Sequence, residues 1–204
     1  MGACKFFDKV NNDSVARAYL KMHWPMFTTG DYNLNIFGIR ANESVSNAFN
    51  DCIGVLYKEN NQWKCQKYEA TTDPGLISRT NPVDSHGCAI LQDGYHRSVF
   101  RMGYHQGKYP ALVQVKPLPL WRDNNRDNKL DHTGPTYNEI VGINIHHASN
   151  TGKSKQVDNW SAGCQVIADI KDWNNFWNLI VTSSKRFGHV FSYALFTETN
   201  FFRS

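Results

Sequence analysis

The polar tetrapeptide Glu59-Asn60-Asn61-Gln62 stands between two strand-like runs, Cys52–Tyr57 and Trp63–Ala70, and this hairpin signal constrains the fold more than any other feature. Runs of the same texture recur at Tyr32–Arg40, Cys88–Gln92, Ser98–Gly103, Ala111–Leu118, Glu139–His147 and Val190–Phe196. Alternating runs of this length bury one face and wet the other, which predicts a mostly β, largely antiparallel domain of sandwich or barrel type. Helical signals are few. Ser14 is a candidate cap for a helix over 14–24, with Val15, Ala18, Tyr19 and Met22 on one face and Pro25 as its stop. Asp169 caps a second, with Ile170, Trp173, Trp177, Ile180 and Val181 as an apolar stripe, Lys185 and Arg186 at its C-terminal dipole and Gly188 beyond. The class expected is β-rich α+β, with an N-terminal helical segment over residues 1–30 and one main domain over 31–204.

At 204 residues, 41% hydrophobic and 20% charged, the chain is long enough to bury a core without staples. Twelve Phe, nine Tyr and six Trp exclude a disordered chain, and no run approaches the ~20 apolar residues of a membrane span. The net charge of +4 comes from scattered Lys and Arg whose longest run is Lys185-Arg186, so no nucleic-acid footprint is expected. Five cysteines, at 4, 52, 65, 88 and 164, leave at least one thiol unpaired, and Cys52 and Cys65 flank the hairpin as a conceivable pair. The absence of a Cys-x-x-Cys pair argues against structural zinc. Met1-Gly2-Ala3-Cys4 resembles an acylation start, but Phe6 stands where Ser or Thr is needed. The start also lacks the apolar core of a signal peptide, so the expected location is a host cytoplasm from which the protein is released to the periplasm or cell wall, or a virion.

The chemistry concentrates in Ile143-Asn144-Ile145-His146-His147, followed by Trp160-Ser161-Ala162-Gly163-Cys164-Gln165. A strand delivers a histidine, a polar loop follows, and a Ser-x-Gly-Cys turn leads into an apolar segment. Free cysteine is only a few per cent ionised at neutral pH, and a neighbouring imidazolium lowers its pKa, so Cys164 beside His146 reads as an activated nucleophile. Gly163 permits a tight turn whose main-chain N–H groups are expected to face a developing oxyanion. The same histidine then protonates the leaving amine.

This segment resembles the catalytic motif of the L,D-transpeptidase (YkuD-like) family, in a divergent, phage-type form. His146 matches the family's base, Cys164 its nucleophile and Ser161 its motif Ser/Thr; by position the imidazole-orienting carbonyl belongs to His147. The resemblance implies an L,D-transpeptidase-like β fold and makes 31–204 the catalytic domain. It also implies a monomeric cysteine enzyme that works on bacterial peptidoglycan through a thioester, without a required cofactor, nucleic acid or membrane. Comparable chains share the Ala70–Gly75 and Trp160–Cys164 stretches. Two positions depart: Ala162 where many members have His, and Val166 where the family usually has an anchoring Arg or Asn. The missing anchor, and the lack of an export signal, favour stem-peptide or cross-link hydrolysis, as in an endolysin. The alternatives are cross-link formation or an inactive wall-binding or virion module of the same fold.

Other features compete for attention. Ser85-His86-Gly87-Cys88 matches the family turn more literally, yet Ala70–Thr72, at the equivalent distance upstream, contains no histidine, so Cys88 reads as a core thiol. Asp123, Asn125, Asp127 and Asp131 occupy positions 1, 3, 5 and 9 of a calcium loop, but Asn128 and Gly134 stand where Gly and Glu belong; a polar hairpin tip is the commoner explanation, with structural Ca²⁺ the alternative. Arg101, Tyr104 and His105, with Trp160, are candidates for a substrate groove that recognises a carboxylate. Chymotrypsin-like cysteine proteases place Gly after the nucleophile, whereas Gln165 follows here, and papain-like and NlpC-type enzymes reverse the order of Cys and His.

Overall fold

The hairpin forms as the sequence predicts. In the computed structural model, which describes residues 4–43 and 47–203, β2 (Asp51–Glu59) and β3 (Gln62–Thr71) pair antiparallel from Asp51↔Ala70 to Glu59↔Gln62. Asn60 and Asn61 make the turn at φ +51° and +61°, the left-handed pair a two-residue hairpin needs. The carboxylate of Asp31 accepts from both their N–H groups, at 2.9 and 3.0 Å. Met1–Ala3 of the acylation-like start lie outside the described residues.

Eight strands close a barrel. With β1 (Asn35–Arg40), β5 (Gly94–His105), β6 (Tyr109–Gln114), β9 (Ile145–His147), β10 (Gln165–Ile167) and β11 (Val190–Thr197), the order is β1-β11-β5-β6-β9-β10-β3-β2. Closure removes the free edges an open sheet would expose. A second sheet runs β4 (Cys88–Leu91), β7 (Leu118–Asp123), β8 (Tyr137–Glu139). The chain is mostly β, with 38% in strands against 21% in helices. Two pairings are parallel, β1 with β11 and β9 with β10. The second matters most here. Parallel neighbours cannot be joined by a tight turn and need a crossover of a dozen or more residues, and the loop from Ala148 to Cys164 is that crossover. The spacing of His146 and Cys164 is therefore the length needed to bring two adjacent parallel strands into register.

Helix α3 (Ile170–Phe187) is capped by Asp169, whose side chain accepts from Lys171 N at 2.8 Å, and ends at Gly188 with φ +86°. It sends Trp173, Phe176 and Ile180 into the main core with Ile53, Tyr68, Phe100, Leu112, Ile145 and Tyr193. Phe176, absent from the expected stripe, is fully buried, while Trp177 and Val181 are half-buried. Helices α1 (Asn12–Lys21) and α4 (Glu198–Phe202) cover another barrel face, where Val15, Ala18 and Tyr19 meet Phe37, Leu56, Phe196 and Phe201. Residues 4–26 thus share a core with the barrel. Short α2 (Leu76–Thr80) follows β3.

Several boundaries differ from the sequence expectation. Asn11, not Ser14, caps α1; Ser14 sits at the third position and returns a bond to Asn11 N, a reciprocal capping box. The run Glu139–His147 splits into β8 and β9, because the Oε1 of Gln114 gathers the N–H groups of Val141, Gly142 and Ile143 and draws the backbone out of any ladder. Cys52 stands opposite Glu69 and Cys65 opposite Leu56, so these thiols do not face each other, and all five cysteines are free. No described helix is long and apolar enough to cross a membrane.

Candidate active site

Register brings the two motif residues together. Along β9 and β10, Gln165 aligns with Ile145 and Val166 with His146, and Gln165 N donates to Asn144 O at 2.8 Å. Cys164 stands at the entrance to β10, one residue before the pairing begins. Alternation puts Cys164, Val166 and Ala168 on one side of β10, where they pack with Ala148, Val157 and Phe49. His146 emerges on that side, while Ile145 lies in the main core and the His147 ring packs on Trp173, centroids 5.5 Å apart. Val166, where the resemblance puts a polar anchor, is fully buried in the apolar cluster.

The Cys164 turn is held from three directions. Ser161 Oγ donates to Cys164 O at 2.8 Å and accepts from Gly163 N at 3.2 Å. Gly163 has φ +123°, and a Cβ there would stand 2.5 Å from Ala89 O of β4, so both conformation and space require glycine. Gln165 Nε2 donates to Gly163 O and Thr72 O, and its Oε1 accepts from Tyr193 OH at 3.0 Å. Gly75 N bonds Ser161 O at 2.9 Å, which ties the Ala70–Gly75 stretch to the turn.

Hydrogen bonding fixes the state of His146. Its Nδ1 lies 2.7 Å from His147 O, and a carbonyl only accepts, so Nδ1 carries the proton. Tyr109 Oη stands 3.2 Å from the same nitrogen. The other nitrogen, Nε2, is buried and has no hydrogen-bond partner among the described residues. A ring nitrogen of His146, one of His105 and Cys164 Sγ lie within 4.8 Å of one another. The thiol itself donates toward Gly142 O at 3.5 Å and receives Asn144 N–H at 3.4 Å.

The charge state departs from the sequence expectation. His146 was expected to lower the pKa of Cys164. Instead burial pushes the Cys164 thiol up to about 11, against a partial lowering by the Asn144 N–H. Burial also pulls His146 down to about 3, helped by His105 beside it. The resting pair is a neutral thiol and a neutral imidazole, because neither ion is solvated where it stands.

A pocket of about 430 Å³ opens on Cys164 and is walled by His105, Gly142, Asn144, Trp160 and Ala162 among others, none of them Lys, Arg, Asp or Glu among the described residues. Of the groove candidates, His105 and Trp160 line it. Arg101 and Tyr104 stand exposed on β5 and do not. His105 and His146 stack, centroids 4.0 Å apart and planes 26° apart.

The Asp-rich loop contains a cation of its own. The fully buried Arg79 places Nε 3.6 Å from Asp123 Oδ2, lies 4.0 Å from Asp127 Oδ1 and donates to Asp127 O. Asn125 donates to Asp131 at 2.9 Å, and Lys129 N donates to Asp127 at 2.6 Å. Of the oxygens a calcium ion would use, those of Asn125, Asp127 and Asp131 accept from N–H groups of the loop itself, while Asp123 Oδ2 faces Arg79 and its Oδ1 is buried without a partner among the described residues.

Sequence reasoning missed Tyr109, Gln114, Asn144 and Gln165 as parts of the site. Asn144 and Gln165 lie inside the quoted motif and alternate with core residues, a signal available in principle; Tyr109 and Gln114 arrive only through tertiary pairing of β6 with β9. Comparison of the chain with known protein families, curated protein sequences and solved structures gives no match.

Proposed function

We propose that the protein is a cysteine enzyme of the L,D-transpeptidase type that hydrolyses stem peptides or cross-links of bacterial peptidoglycan. The observation that carries this reading is His146 with a ring nitrogen within 4.8 Å of the Cys164 thiol, its Nδ1 locked by His147 O and its buried Nε2 without a partner among the described residues. As Sγ bonds to the carbonyl carbon at an L-centre, His146 Nε2 takes the thiol proton. It then gives that proton to the departing D-residue amine as the C–N bond breaks. Water, relieved of a proton by the same nitrogen, cleaves the thioester and restores the thiol. The buried pair favours this concerted route, because substrate binding displaces water from a site already poorly solvated.

Hydrolysis is favoured over transfer by the lining of the pocket and by Val166. Neither supplies the fixed cation that would anchor a second, acceptor peptide. The resemblance implies a substrate in the bacterial wall. Purified disaccharide-peptides incubated with the protein and analysed by mass spectrometry test the reading. Shortened monomers from wild type and none from Cys164→Ala are expected. New cross-linked dimers would replace hydrolase by transpeptidase, and sacculus binding without cleavage would favour the wall-binding module.

A further inference from the structure

The N–H groups of the two residues that flank Cys164 are already committed. Gly163 N–H is committed to Ser161 Oγ at 3.2 Å, and Gln165 N–H to Asn144 O at 2.8 Å. An acyl-transfer site gains from each further donor aimed at the oxygen that becomes negative, beyond what the turn itself supplies. One side chain on the pocket wall is set up to supply it. Gln114 N donates to Asn144 Oδ1 at 3.0 Å, which fixes that amide so that its Nδ2 points away as a donor. Asn144 Nδ2 then meets His105 Nδ1 at 3.0 Å. A nitrogen that faces a donor must accept, so His105 carries its proton on Nε2.

The two stacked imidazoles are thus held in opposite tautomers: His146 is Nδ1–H with a free Nε2 lone pair, and His105 is Nε2–H. Stacking at 4.0 Å makes a double positive charge costly, and burial lowers the pKa of His105 as well. From these contacts we propose that His105 is a second catalytic residue, a neutral N–H donor that binds the substrate carbonyl oxygen as charge develops on it, while His146 alone moves protons. This rests on the cysteine acyl-transfer reading but not on which peptide is the substrate. A neutral imidazole suits the task because it donates without first being charged.

The test uses p-nitrophenyl acetate, which acylates a reactive thiol whatever its natural substrate, and iodoacetamide, whose displacement at carbon creates no oxyanion. In wild type, a burst of p-nitrophenolate should accompany acetylation of Cys164. His105→Phe should keep the stack but lose the donor, slowing acylation by about 10²–10³-fold while alkylation stays within about twofold of wild type. His105→Gln, which returns an N–H, should recover part of the loss. Equal slowing of both reactions in His105→Phe would reduce His105 to a structural role, and unchanged acylation would overturn the proposal. A wild type that never acylates at Cys164 would overturn the cysteine reading and this proposal together. Normal acylation with untouched muropeptides would overturn only the peptidoglycan assignment.

Discussion

Two Gly-Cys turns open strands in this molecule, and they differ in what stands beside them rather than in how they are built. Gly87 and Gly163 both have positive φ, +102° and +123°, and both press against a neighbouring carbonyl, Asp123 O at 2.3 Å and Ala89 O at 2.5 Å from a Cβ built there. Cys88 and Cys164 are both buried, with thiols raised to about 12 and about 11 by burial. Around Cys88 stand Asp123, paired across the sheet, and the Arg79 and Arg122 guanidiniums. Around Cys164 stand His146, His105 and an open pocket. On the proposed reading the chemistry belongs to the adjoining strand, and the Ser-His-Gly-Cys lettering that favours Cys88 is no guide to it. The turns are also coupled, since Gly163 rests on β4, the strand that Cys88 opens.

Removing each thiol gives the sharpest contrast. Cys164→Ala and His146→Ala should each cost about 10⁴-fold or more in turnover of disaccharide-peptides. Cys88→Ala should stay within about threefold and cost about 1–2 kcal/mol of stability, read from urea unfolding. Comparable losses from Cys88→Ala would break the distinction.

The glycines sharpen it further. Gly163→Ala forces a shift of the nucleophile, for which about 10²-fold in kcat is expected. Gly87→Ala should cost about 1–3 kcal/mol yet leave kcat per folded molecule nearly intact. Equal kcat losses would mean that β4 transmits distortion from one turn to the other.

A smaller effect is expected at Ser161, whose hydroxyl ties the turn but touches no reacting atom. Ser161→Ala should lower stability by about 1–2 kcal/mol, with kcat reduced by no more than roughly tenfold. A loss as deep as that of Cys164→Ala would make Ser161 part of the chemistry.

The smallest change should come from pH. Activity requires neutral His146, so it is lost as pH falls through about 3 and is retained above, while the thiol keeps its proton until about 11. The kcat/KM profile should be flat from pH 5 to 9. A preformed thiolate–imidazolium pair would instead lose activity within that window as the imidazolium deprotonates, and a bell there would contradict the neutral pair.

Much of this was legible in the sequence, for reasons of distance along the chain. The Asn60-Asn61 hairpin, the Asp169 cap and the Gly188 stop are local devices, and each forms where its residues stand. The partnership of His146 with Cys164 was legible because one crossover fixes both. The charge state was not, since burial by Phe49, Val157 and Val166 is a tertiary fact. The role of Asn144 was hidden in the same way: its side chain is oriented by Gln114 from a strand thirty residues away. Arg79 in the Asp-rich loop lies beyond local reading, because a cation from α2 enters a loop whose own letters show a polar hairpin tip with half of a calcium signature.

The most direct measurement of the central claim is to trap the acyl-enzyme. Acid quenching within the first turnovers with disaccharide-peptides, followed by proteolysis and mass spectrometry, should find a muropeptide acyl group on the peptide containing Cys164, absent in Cys164→Ala and much reduced in His146→Ala. Acylation at Cys88, or shortened muropeptides released by Cys164→Ala at the wild-type rate, would contradict it.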